Sequence, residues 1–184
     1  QKALSLKNNF PPYIKTYIQI LIRNNQLSQA KKLLKKFWAE KPTSLLRKVL
    51  IELIDESDLG NLEFIQNLIV NNSNHTESKK LIIYYAIRLN NWEIARLNIK
   101  GLISLNPSRE ICLFMANIEM GEYNNIQKAD SWKLRAKNAQ IDNIWVCKIS
   151  NQPQNEWESI SASGYFNSLE WTQPQMLNKF FKSL

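Results

Sequence analysis

Apolar residues recur along this chain at helical spacing, and asparagines and prolines interrupt them at regular places. Ile14, Tyr17, Ile18, Leu21 and Ile22 fall at i, i+3, i+4, i+7 and i+8, one stripe of an amphipathic helix that starts at Pro11 or Pro12. Asn24 and Asn25 break it. A second stripe, Ala30, Leu33, Leu34, Phe37 and Trp38, stops before Pro42, whose ring disfavours helical backbone in the residue ahead of it. The same order returns later: Ile82, Tyr85, Ala86 and Leu89 facing inward, then Asn90 and Asn91, then Ala95, Ile99, Leu102 and Ile103 facing back, then Pro107. In both copies the proline follows the alanine by twelve residues, Ala30 to Pro42 and Ala95 to Pro107. The alanines mark where two helices cross closely enough that a larger side chain would wedge them apart.

Between these copies lies a weaker one. Leu45, Val49, Leu50, Leu53 and Ile54 mark its first helix, ESDLG its turn, and Leu62, Ile65 and Ile69 its second. Ile65 stands where the alanine is expected. The polar loop VNNSNHTES follows, with Thr76 or Ser78 as the N-cap of the next helix. A fourth unit begins after Ser108 with Ile111, Leu113, Phe114 and Ala116, and returns through Ala129, Trp132, Ala136 and Ala139. A helix pair cannot bury its apolar face alone, so the expectation is an all-α body, a right-handed α-solenoid of helix pairs over residues 1–140. After Asp142 the pattern changes. WVCKIS and SLEW read as short strands and NQPQN as a turn, giving a small β-containing cap over 141–171. Trp145, Trp157 and Trp171 are expected to be buried and to staple this cap to the end of the solenoid. Residues 172–184, with MLNKFFKSL, read as a short helix or a tail.

The formal net charge of +8 changes the picture toward an acidic partner, a phosphate-rich surface or an anionic membrane, against the plain alternative that lysines coat solvated helix faces. Chemistry is sparse. Cys112, in EICLFMA, reads as a small buried hydrophobe, and neither it nor Cys147 lies in a CxxC pair. His75 is the single histidine and sits in a polar loop. No Gly-rich phosphate loop, no carboxylate pair framed by a base and no Ser/His/Asp set is present, so no enzyme activity and no cofactor are expected. No apolar run reaches the length of a membrane span, and no signal peptide is seen. Gln1 in place of Met reads as the start of an excised fragment, which leaves open a targeting or membrane segment upstream.

The helix pairs, with a small residue in the second helix and a closing proline, resemble tetratricopeptide repeats. The C-terminal part, LFMANIEMGEYNNIQKADSWKLRAKNAQIDNIWVC followed by the spaced Trp157, the Ser/Gly-rich ESISASG and Trp171, resembles the end of HemY-like tetratricopeptide proteins. Leu113, Ala116, Ile118, Glu119, Trp132, Ala136, Trp145, Val146, Cys147, Trp157, Ser161, Gly164 and Trp171 carry that resemblance. It implies the soluble repeat domain of a bacterial inner-membrane protein linked by family to haem biosynthesis. Related repeat proteins end in a rubredoxin-like knuckle with two CxxC pairs. Here the first pair reads Cys147-Lys-Ile-Ser150 and the second is serine-rich, so the cap is expected to hold no metal and to keep its shape by tryptophan packing.

The function that follows is a protein-interaction scaffold. Helix A of each unit lines the concave side, where Lys15, Gln19 and Arg23, and Lys80, Tyr84 and Arg88, share a face by i, i+4, i+8 spacing. Their charged ends are expected in solvent, not bound to Glu77 or Glu93, forming a groove for an extended peptide carrying carboxylates, or for a C-terminal carboxylate. The alternative is a basic α-solenoid that binds nucleic acid through KKLLKK at Lys31 to Lys36 and through Lys128, Lys133, Arg135 and Lys137. A homo-oligomer building block is a third possibility.

Overall fold

The computed structural model describes residues 10–55, 62–103 and 106–174, so the expected ESDLG turn and the 176–184 tail lie outside the described residues. The described residues are mostly helical, 63% of them, with a small three-stranded antiparallel sheet. Among the described residues eight α-helices run in order: α1 Pro11–Arg23, α2 Leu27–Glu40, α3 Ser44–Asp55, α4 Leu62–Ile69, α5 Thr76–Arg88, α6 Trp92–Ile99, α7 Arg109–Tyr123 and α8 Ile126–Asn138. Strands β1 Ile144–Cys147, β2 Pro153–Gln154 and β3 Leu169–Thr172 follow, in the order β2-β1-β3.

Three of the turns between helices share one device. Asn25, Asn90 and Asn124 adopt left-handed backbone, with φ of 57°, 53° and 49°. Asparagine tolerates this conformation better than other side chains do. The next N–H in each case reaches back past it, Gln26 to Leu21, Asn91 to Ala86 and Asn125 to Glu119, and satisfies an orphan carbonyl of the ending helix. In two of the three the following asparagine caps the next helix. Asn91 Oδ1 accepts from Ile94 N at 3.2 Å and Asn125 Oδ1 from Lys128 N at 3.0 Å. The cap of α5 is His75, whose Nδ1 accepts from the Glu77 N–H at 3.1 Å. Thr76 and Ser78, expected in that role, lie inside the helix. Ser78 is buried and accepts from Trp38 Nε1 at 3.0 Å, because an indole buried on α2 needs an acceptor.

The odd-numbered helices pack side by side, α1 on α3, α3 on α5 and α5 on α7, while the even ones pack behind them. Two apolar clusters result. Ile14, Ile18, Leu34, Trp38, Leu50, Leu53, Ile65 and Leu81 belong to the first, and Ile83, Ala86, Ala95, Ile99, Ile111 and Ile118 to the second. α5 supplies both, so it is the spine of the helical part. Ala30 and Ala95 are fully buried, Ala30 in the first cluster and Ala95 in the second. Each completely buried Leu or Ile here contributes about 1.5–3 kcal/mol relative to an exposed one.

Several expected core positions face water. Leu89 and Ile103 follow the ends of α5 and α6, where the chain turns away, and Leu113 points off α7 toward the cap. The segment NQPQN, read as a turn, contributes β2. Pro153 pairs with Val146 at the sheet edge, a position where its missing N–H costs no ladder bond. The largest correction concerns the cap. It does not sit on the end of the helical stack. Trp145 and Trp157 meet Phe10 edge-on at 6.4 and 5.4 Å, and Trp171 Nε1 donates to Ser44 Oγ at 2.9 Å. The sheet therefore folds back against the odd helices, beside the start of α1 and α3. Trp145 is buried, but Trp157 and Trp171 are only half-buried.

Candidate functional site

Arg47 stands fourth in α3, inside the apolar run LLRKVLIELI, and is buried. A cation in that place needs anions brought to it. Its Nε donates to Glu77 at 2.7 Å, and its Nη1 and Nη2 grip Glu110 at 2.6 and 2.7 Å. Both glutamates are the second residue of their helices, α5 and α7, so the guanidinium ties three odd helices together. Lys80, one turn along α5, adds Nζ contacts to Glu110 at 3.0 Å, Asp142 at 3.4 Å and Glu77 at 4.0 Å. Asp142 in turn accepts from the Glu110 backbone N–H at 3.0 Å, capping the start of α7 and fixing the strand-ward exit of the chain. Burial pulls the Lys80 ammonium down, but Glu110, Glu77 and Asp142 more than offset it and hold it above its ordinary 10.5. The stability this group lends is complete below 10.5 and is lost as pH climbs through its raised value.

Over this network opens a cleft of about 610 Å³ between the odd helices and the cap, with Ile51, Leu113, Ile144 and Trp171 as its apolar parts and Arg109 at its edge. A second cavity of about 270 Å³ continues toward α1, lined by Lys15, Gln19, Trp145, Glu156 and Trp157. Lys48 and Glu52 line both, which makes one trough across α1, α3, α5 and α7.

The six expected groove residues divide. Lys15 and Gln19 line the α1 end of the trough, and Lys80 lines its middle. Arg23, Tyr84 and Arg88 lie outside both cavities; Arg88 donates to the Tyr84 hydroxyl at 2.9 Å and stacks over its ring. The expectation of free charged ends fails at two places. Lys15 pairs with Glu52 at 2.6 Å and Glu156 at 3.3 Å, and Lys80 pairs with Glu77, the residue it was expected to avoid. The reason is burial: both lysines sit where an unpaired ammonium would lose its hydration. Sequence reasoning missed Arg47, Lys48, Glu77, Glu110 and Asp142. The one available signal was Arg47 interrupting an apolar stripe.

Elsewhere, the Cys147 sulfur is enclosed by serines. The Ser150 N–H donates to it at 3.5 Å and Ser168 Oγ lies 3.3 Å away. Burial pushes this thiol up, but hydrogen bonds with Ser150, Ser168 and Ser161 outweigh it and bring the pKa from 9.0 to about 6. Among the described residues no group of three or more His, Cys, Asp or Glu side chains could hold a metal ion, and no helix is long and apolar enough to cross a membrane. The basic residues of the nucleic-acid reading are mostly exposed, with four lysines against one glutamate on α2. In comparisons with known proteins, no family model, no curated protein and no solved structure matches the chain.

Proposed function

We propose that this chain is a protein-interaction scaffold, a right-handed α-solenoid of tetratricopeptide-like helix pairs that holds an extended acidic peptide in the trough between its odd helices and its cap. The observation that carries this reading is the trough itself. It crosses four successive odd helices and is lined by Lys15, Gln19, Lys48, Lys80 and Arg109, with apolar patches between them and with the carboxylates Glu52, Glu77, Glu110, Asp142 and Glu156 beside the cations. A ligand that engages all of it must be elongated, and one rich in carboxylates gains from Arg109, and from Lys15 and Lys48 where its carboxylates take the place of Glu156. The HemY-like resemblance extends the proposal: the chain serves as the repeat domain of a membrane-anchored bacterial protein associated with haem biosynthesis, acting by binding and not by catalysis.

Titration of labelled acidic and neutral octapeptides by fluorescence anisotropy tests the reading. Acidic peptides bind, and Lys15→Gln with Lys48→Gln abolishes the binding while helicity is kept. Equal binding by the double variant would overturn it. A second reading, nucleic-acid binding, is favoured by the exposed lysines of α2. Mobility shifts on mixed-sequence RNA and DNA that weaken steeply with salt, and vanish in Lys32→Glu with Lys35→Glu and Lys36→Glu, would select it instead.

A further inference from the structure

The cap and the helices beneath it carry opposite charge. From Asp142 to Pro174 the sequence holds one lysine against four carboxylates, whereas α1 and α3 hold four cations against two carboxylates. One short stretch, Asn155-Glu156-Trp157, makes the contact. The Glu156 carboxylate lies between two ammonium groups, 3.3 Å from Lys15 Nζ and 3.5 Å from Lys48 Nζ. Lys48 Nζ also donates to the backbone carbonyl of Asn155. The Trp157 ring stands edge-on to Phe10 and Tyr13, with centroids 5.4 and 5.9 Å away. Gln154 braces the stretch, its Nε2 donating to the Glu156 carbonyl at 2.8 Å and its Oε1 accepting from the Ala162 N–H at 2.9 Å.

These are the contacts of a docked peptide: a carboxylate between cations, an aromatic ring against aromatics, and a main-chain carbonyl held by a lysine. Asn155 and Glu156 are exposed, Glu156 with 56% of its side chain in water, and Trp157 is half-buried, so the stretch lies at the surface. We propose that residues 155–157 are an internal occupant of the α1 end of the trough, and that the partner is an extended peptide presenting a carboxylate immediately followed by an aromatic residue, which displaces them. This inference rests on the peptide-trough reading above and names the chemistry of its partner. A tethered occupant competes at a local concentration on the order of millimolar. An external peptide therefore binds with its intrinsic affinity reduced by the fraction of molecules whose trough is vacant.

The probe is a labelled peptide Gln-Asn-Glu-Trp-Glu-Ser, the sequence of 154–159, titrated against the full chain. Glu156→Gln with Trp157→Ala is expected to bind it about tenfold tighter than wild type or better, and adding Lys15→Gln and Lys48→Gln removes the gain. Glu156→Gln alone leaves the ring and the sheet in place and is expected to give about a threefold gain. Circular dichroism confirms that each variant is folded. A scrambled peptide that separates the carboxylates from the tryptophan binds more weakly. In wild type, saturating peptide speeds hydrogen exchange at amides 155–158. Equal affinity for wild type and both variants, equal binding of the scrambled peptide, or unchanged exchange at those amides each overturns the internal-occupant proposal. If other acidic peptides still bind and depend on Lys15 and Lys48, the trough reading stands alone; if no acidic peptide binds any form, both fall.

Discussion

Arg47 sets the energetic stakes at the scale of single residues. A buried guanidinium with three charge-assisted bonds adds little net stability over an apolar residue, but removing its anions leaves an uncompensated charge. Glu110→Ala strips Arg47 of its bidentate partner and Lys80 of its nearest one, and is expected to cost about 3 kcal/mol in urea unfolding. Lys133→Ala, which breaks an exposed pair with Asp130, should stay within about 0.5 kcal/mol. Cys147 makes a second prediction. Its folded pKa, about 6, lies below the ordinary 9.0, so the stability it contributes is complete above 9.0 and is lost as pH falls through 6. The stability difference between wild type and Cys147→Ala should therefore grow from pH 6 to pH 9, read by unfolding midpoints at fixed ionic strength. A flat difference would show that the serine ring does not hold a thiolate. Arg47 was visible as an oddity in an apolar helix; its partners were not. Glu110 is 63 residues away and reads alone as a favourable first-turn acid, a role that would explain it without Arg47.

The helices and their turns were far more legible, because they obey local rules. Paired asparagines at 24–25 and 90–91 announced turns, and the structure shows the mechanism in the left-handed Asn25 and Asn90. Asn124 in the fourth pair repeats it. Asn90→Ala places a Cβ where left-handed backbone crowds it and is expected to lower stability by about 1 kcal/mol, while Asn90→Gly should be neutral or slightly stabilising. The two midpoints together separate backbone strain from loss of the side chain. The cap of α5 was misjudged for a reason of the same scale. Thr and Ser are the usual caps, yet here the imidazole of His75 takes the role and frees Ser78 to satisfy Trp38 from the interior. Gly121 was not singled out, although a Cβ there would meet the Trp92 ring at 2.2 Å, so this glycine lets α6 lie against α7.

Across the whole molecule, what the sequence concealed is where the cap goes. Tryptophan spacing says that the cap needs an apolar surface but cannot say which one, and a long-range choice of this kind is decided by charge and shape together. The acidic cap returns to the first helices, so Phe10 and the cap loop meet although they are far apart in the chain. Asp142, held by Lys80 and by the start of α7, sets the direction of that return. The beginning of α1 and the loop around Trp157 should therefore open together, as one cooperative unit of lower stability than the α5–α8 core. Phe10→Ala removes the ring that touches Tyr13, Trp145 and Trp157 at once. It is expected to weaken the closed form by about 1–2 kcal/mol, which speeds hydrogen exchange by a factor of about 5–30. The faster exchange should appear both in α1 near Tyr13 and in the cap near Trp157, while amides of α7 around Ile118 keep their wild-type rates. Faster exchange at α1 alone would mean that the cap is held by Trp171 and the Asp142 linkage without help from the aromatic cluster. Faster exchange throughout α7 would mean that the chain opens as a single unit and has no separable closure.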